Sequence, residues 1–152
     1  MRTSSRGFTL IELLAVFAIL ASLAAGMFGV FSRMYKNRAL EAAATSVASL
    51  IESARSTTLA ARDGASYGVR INQTDAVFFK SPYAAGAADS RSYDLRPFVQ
   101  ATATLAGGGT DIVFTRLTGG TPQSGTVTLS LSADPSKTKT ITIEGTGVVT
   151  VR

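Results

Sequence analysis

The chain has 152 residues and a formal charge of +5, with no cysteine and no histidine. Without them there is no disulfide to staple the fold, no imidazole base for a Ser/His/Asp triad and no ordinary zinc site. The length suits one membrane anchor and one domain of roughly 110 to 120 residues, and the cations from Arg55 onward are scattered among acids, which makes the charge a weak sign of an acidic partner.

Arg2 and Arg6 precede an apolar run from Phe8 to Phe31 whose one charged residue is Glu12. Roughly 24 helical residues rising about 1.5 Å each reach about 36 Å, enough to cross a hydrocarbon core of about 30 Å. A secretory signal peptide has a shorter core and no acid inside it. An acid in such a segment is a functional candidate; the plainer alternative is a single-pass anchor whose Glu12 reaches the interface. Ala18, Ser22 and Gly26, with Ala21, Ala25 and Gly29, recur every fourth residue. Such rows let helices approach closely in lipid, although alanine is also simply common in apolar helices. Arg33, Lys36 and Arg38 follow the run, and the positive-inside rule sets them against the basic start of the chain in fixing orientation.

The stretch Arg6-Gly7-Phe8-Thr9-Leu10-Ile11-Glu12-Leu13-Leu14 resembles a prepilin leader junction. The resemblance implies a prepilin peptidase that cuts after Gly7 on the cytoplasmic side and methylates the new amino terminus at Phe8. The helix would stay in the bacterial inner membrane as a single pass, and the subunit would then join other subunits in an extracytoplasmic fibre. It also implies that Glu12 pairs with the amino terminus of a neighbouring subunit, which removes the cost of a lone charge in an apolar core. Residues 1–7 are then the leader and 8–31 the membrane and fibre-core half of a helix, oriented by the leader. Loss of Arg2 and Arg6 leaves thirteen cations against ten acids, a side-chain charge of +3. Many pilins carry a helix-breaking proline in this region; here Gly26 and Gly29 stand instead, and each weakens a helix by up to about 1 kcal/mol relative to alanine.

From Ala39 to Arg62 there is neither proline nor glycine, and Leu40, Ala43, Ala44, Val47, Leu50, Ile51, Ala54 and Thr58 fall on one face. Residues 32–63 therefore continue the helix as an amphipathic half. The whole helix would run about 55 residues, near 80 Å, to a glycine cap at Asp63-Gly64. Its small apolar residues predict a closely packed sheet.

Residues 64–152 change to a period of two. Strands are expected near Tyr67 to Asn72, Ala76 to Lys80, Ser92 to Arg96, Asp111 to Leu117, Thr126 to Ser132, Thr138 to Ile143 and Val148 to Val151. Short turns at Gln73-Thr74-Asp75, Ala133-Asp134-Pro135-Ser136 and Glu144-Gly145-Thr146-Gly147 predict hairpins. The polar stretches Ser81 to Ser90, Ala106 to Thr110 and Thr118 to Gly125 read as flexible connections or binding loops. The fold class is α+β: a long N-terminal helix packed on a mostly antiparallel β-sheet domain. This order of parts, with Ala54-Arg55, Tyr67-Gly68-Val69-Arg70-Ile71, Ile112-Val113-Phe114, Gly125-Thr126-Val127-Thr128-Leu129 and Ile141-Thr142-Ile143 through Val151, is similar to the GspH/FimT family. That resemblance implies a minor pilin or pseudopilin of type IV pili or type II secretion.

No constellation supports catalysis, a cofactor or a metal. The aspartates mostly sit where turns are expected, and Gly107-Gly108-Gly109 lacks the Lys-Ser/Thr of a phosphate loop. Some members of the resembling family bind DNA during uptake, and the candidate contacts here are Arg116, Lys137, Lys139 and Arg152. The plainer reading is that Lys137 and Lys139 guard an edge strand. The expectation is a structural subunit, with a DNA-binding minor pilin as the rival.

Overall fold

The computed structural model describes residues 8–152, apart from the side chains of 26–32. The leader residues and the cleavage position at Gly7 lie outside the described residues. The chain divides into two compact units, one ending at Tyr35 and the other spanning Lys36–Arg152. Helix α1 (Leu10–Leu59) contributes residues to both. In the first unit the apolar side chains of Leu10, Ile11, Phe17 and Leu23 all point into open space. Among the described residues no helix is long and apolar enough to cross a membrane; the apolar run read from the sequence continues past Ala25 into residues whose side chains are not described.

In the second unit the helix buries Leu40, Ala43, Ala44, Val47, Ala48, Ile51, Ala54 and Thr58. This is the expected face, with Ala48 added and Leu50 only half-buried. Val47, Ile51 and Ala54 are fully enclosed; a side chain the size of Ile51 contributes about 1.5–3 kcal/mol on burial. The partner layer comprises two four-stranded antiparallel sheets. The first has the order β3-β2-β1-β5, built from β1 (Tyr67–Ile71), β2 (Asp75–Lys80), β3 (Arg91–Asp94) and β5 (Asp111–Val113). The second has the order β4-β6-β7-β8, built from β4 (Val99–Leu105), β6 (Gly125–Leu131), β7 (Asp134–Ile143) and β8 (Val149–Val151). Val69, Ile71 and Ile112 of one sheet and Val127, Leu129, Ile141 and Ile143 of the other join the helix stripe in a single apolar cluster. Gly68 is the close contact of the first sheet, where a Cβ would run into the Ile112 carbonyl and the Phe79 ring.

Four expectations are corrected. β4 was not anticipated, although Val99, Ala101 and Leu105 are buried and it pairs with β6 from Val99↔Leu131 to Leu105↔Gly125. Its inward positions include alanines, which carry little strand preference. The turn expected at Ala133 to Ser136 is tighter: Leu131 pairs with Asp134 while Ser130 pairs with Thr138, so residues 135–137 bulge out of the ladder. β5 stops at Val113 instead of reaching Leu117, because residues 115–120 close a turn through Thr115 N–H to the Gly120 carbonyl (2.8 Å), with Leu117 left-handed at φ 71°.

The fourth correction is the helix end. The helix stops at Leu59, and the first left-handed residue is Ala61 (φ 49°), followed by Asp63 (φ 52°) and Gly64 (φ 60°) in a short 3-10 turn over Arg62–Gly64. The buried Thr58 hydroxyl fixes this stop. It donates to the Ala54 carbonyl at 2.8 Å and accepts the Tyr67 N–H at 2.9 Å, tying the start of β1 to the last helical turn. Thr58→Val keeps the shape but leaves the Tyr67 N–H without an acceptor, a loss of about 1–3 kcal/mol. A clear fall in thermal midpoint is expected, with Thr58→Ser falling less; equal midpoints for wild type and the valine variant would show that the hydroxyl is dispensable.

Candidate functional site

The helix begins at a cap. The Glu12 N–H donates to Thr9 Oγ1 at 3.3 Å and the Leu13 N–H to the Thr9 carbonyl at 3.2 Å, so Thr9 occupies the N-cap and Glu12 the third helical position. Thr-x-x-Glu is the capping-box pattern, and an acid in the first turn also meets the positive end of the helix dipole. The sequence reading missed Thr9, although this spacing was visible. Glu12 is exposed beside Phe8 (80% exposed) and Ile11 (74%). A carboxylate one turn from the expected new amino terminus, within a helix apolar all round, can pair with a cation while the apolar side chains pack on other helices.

The basic candidates do not form one patch. Lys137 and Lys139 line a cleft of about 280 Å³ with Asn37, Leu40 and Glu41 at the start of the second unit's helix. Arg152 does not join them: it stands opposite Thr140, with which its backbone exchanges two 2.9 Å hydrogen bonds, and so turns to the other face of the sheet from Lys139. Arg116 lies in the 115–120 turn, whose Gly119 carbonyl accepts from Arg55 Nε at 3.0 Å. Asn37 and Arg55 are about 27 Å apart along the helix. Lys137 and Lys139 stand beside Glu41, and Asp134 lies at the same bulge. The Asp134 carboxylate accepts from Ser136 Oγ at 2.6 Å and from the Ser136 N–H at 3.3 Å, holding the bulge in shape.

A second polar cleft, of about 330 Å³, lies between the helix end, the 3-10 turn and the 81–90 stretch, and mixes Arg62 and Arg91 with Asp63 and Asp89. Among the described residues no group of three or more His, Cys, Asp or Glu could hold a metal ion. The 81–90 stretch is held down at Tyr83: its ring lies under the Arg70 guanidinium, 3.6 Å from the carbon to the centroid, and packs edge-on against Phe79. Arg70 in turn donates from Nε and Nη2 to the two Asp111 oxygens at 2.5 and 2.6 Å. The Asp111 hydrogen bonds, ahead of the opposing effect of burial, raise the Arg70 pKa above its ordinary value. The sequence offered no signal for this set, whose members are 41 residues apart.

Residues 2–28 match the prokaryotic N-terminal methylation motif. The chain is pilin-like. Its fold is that of two solved minor-subunit structures. One is the minor pseudopilin EpsH from the type 2 secretion system of Vibrio cholerae, with 13% identity and a TM-score of 0.58 over 74% of this chain and 95% of that one. The other is the type IV minor pilin FimU of Pseudomonas aeruginosa, with 16% identity and a TM-score of 0.59 over 74% of this chain and 87% of that one. No curated protein matches the sequence. The pilin-like fold thus joins the expected α+β architecture to the methylation motif.

Two outcomes follow for the second unit. Arg70→Met should free Tyr83 and speed amide exchange across 81–90 by an order of magnitude or more; unchanged exchange would mean that the stretch is held elsewhere. The Asp134 carboxyl is pulled below its ordinary 3.8, chiefly by the Ser136 hydroxyl. A lowered carboxyl favours the fold above its unfolded pKa and loses that contribution as pH falls through the folded one. The Ser136 amide resonance should therefore stay constant from about pH 6 to 8 and titrate with a midpoint below 3.8; movement near neutrality would contradict the assignment.

Proposed function

We propose that this chain is a structural minor pilin or pseudopilin subunit, assembled into a type IV pilus or a type II secretion pseudopilus. The observation that carries the reading is the methylation motif over residues 2–28 leading into a helix capped at Thr9, with Glu12 exposed in an otherwise apolar surface. On this reading residues 1–7 are the leader, prepilin peptidase cleaves between Gly7 and Phe8 and methylates Phe8, 8–31 anchors a single pass in the bacterial inner membrane, 32–63 continues the helix and 64–152 faces outward. Moving an apolar helix from lipid into a bundle exchanges one apolar surround for another, so packing and the Glu12 pair decide specificity more than apolar transfer does.

The intact mass and amino-terminal fragmentation of the protein from its native membrane test the processing. A chain beginning at methylated Phe8 is expected; one beginning at Met1 would refute it. Glu12→Ala should insert into membranes as well as wild type and enter fibres at least about tenfold less, and normal incorporation would remove Glu12 from assembly. The rival, a DNA receptor on such a fibre, would rest on Lys137 and Lys139 together, with Arg152 on the other sheet face and Arg116 apart. Filter binding of the full chain in detergent separates the two: a phosphate-based receptor loses affinity steeply with salt, and no salt-sensitive binding leaves the structural reading alone.

A further inference from the structure

The two sheets have four outer edges; outward N–H groups are taken on two of them, and a third carries charged side chains. In an antiparallel ladder alternate residues turn their N–H and C=O away from the partner strand, so the outward-facing residues of each edge strand follow from its register. On β5 the outward Val113 N–H is taken by Gln123 Oε1 at 3.2 Å. On β4 the outward Val99 and Ala101 N–H groups are taken by the Leu95 and Gln73 carbonyls at 3.2 and 2.9 Å. On β3 the outward residues are Ser92 and Asp94, flanked by Arg91 and Arg96, and charge on an edge discourages pairing.

β8 differs. Thr140 and Arg152 exchange both hydrogen bonds, and Glu144 N–H reaches the Val148 carbonyl, so the ladder to β7 uses residues 148, 150 and 152. The N–H and C=O of Val149 and Val151 therefore face outward, and among the described residues nothing caps them. The side chains repeat the pattern. Val151 pairs with Ile141 on the core face, yet Ile141 is fully buried while Val151 is 42% exposed. Val148 is 46% exposed, beside a cleft of about 300 Å³ between Gly147–Val149 and the helix residues Glu52 and Ser56.

We propose that the open edge of β8 is a docking surface for an extended segment of a neighbouring subunit, which adds as a further strand to the second sheet. The outward backbone pair specifies a strand, and the uncovered Val151 specifies an apolar side chain at the position facing it. The charges specify the ends: an acid near Arg152 and a base near Glu52 and Glu144. The inference rests on the fibre reading above, since a fibre is what brings a neighbour's segment to this edge.

Hydrogen–deuterium exchange at single-residue resolution tests it, comparing the full chain in detergent with the chain in isolated fibres. In detergent the Val149 and Val151 amides should exchange freely while Thr150, bonded to Thr142, is protected. In fibres the two valine amides should slow by a hundredfold or more. Val151→Pro removes an outward N–H without breaking a bond to β7; it should leave the thermal midpoint within a few degrees and abolish the protection at Val149. Val151→Lys, which puts a charge on the same edge, is the second variant should the proline one fold poorly. Fibres that contain the chain with both valine amides still exchanging freely would overturn the inference and leave the fibre reading intact. Protection in detergent, accompanied by a dimer in light scattering, would assign the edge to a second copy instead. A chain that never enters fibres would overturn the fibre reading and the inference with it.

Discussion

One buried stripe organises the second unit. Leu40, Ala43, Ala44, Val47, Ala48, Ile51 and Ala54 give the helix a face in which four of seven side chains are alanine, so the backbone can approach the strands closely while Leu40, Val47 and Ile51 fill the gaps between them. Both sheets depend on it, because strands with only one apolar face need a second layer to cover that face. Thr58 ends the stripe at the point where its hydroxyl holds the first strand. Moving it by a single residue would rotate the hydroxyl about 100° around the helix and away from Tyr67.

The readable parts of the sequence were those whose cause is local. Helical periodicity marked the buried face, seven of whose eight members were on the expected stripe, because they repeat at three-and-four spacing through sequence free of glycine and proline. The alternation of Val127, Leu129 and Leu131 marked β6 because valine and leucine declare the inward side. The methylation motif was legible because one short stretch carries the whole of it. β4 was not, since the inward alanines at 101 and 103 look like loop composition until β6 lies beside them. The helix end was misplaced because glycine at 64 was the stronger local signal, whereas a contact across nine residues, Thr58 to Tyr67, decided the matter. The set formed by Arg70, Tyr83 and Asp111 is still less local, and nothing in the spacing of those residues announces it. The basic candidates show the same limit: four cations in the carboxy-terminal half are neighbours only in part, because β7 brings Lys137 and Lys139 to one cleft while Arg152 turns to the other sheet face and the turn after β5 carries Arg116 elsewhere.

Specificity in a fibre of this kind has to come from directional contacts. The exposed apolar side chains of the first unit would be content in lipid or against almost any apolar helix, so they supply attraction without much choice. On the proposed reading, an ion pair at Glu12 would have a fixed partner chemistry and a depth set by the cap at Thr9, since helix position and carboxylate position would then be the same variable. Backbone edges in the second unit add a second kind of direction, because a strand pairs in register or not at all. Two edges have outward N–H groups taken, by a glutamine side chain and by neighbouring carbonyls, and a third carries charged side chains. β8 carries valines at its outward positions and charge only at its ends, at Arg152 and Glu144, and that composition is what separates it from the charged margin of β3.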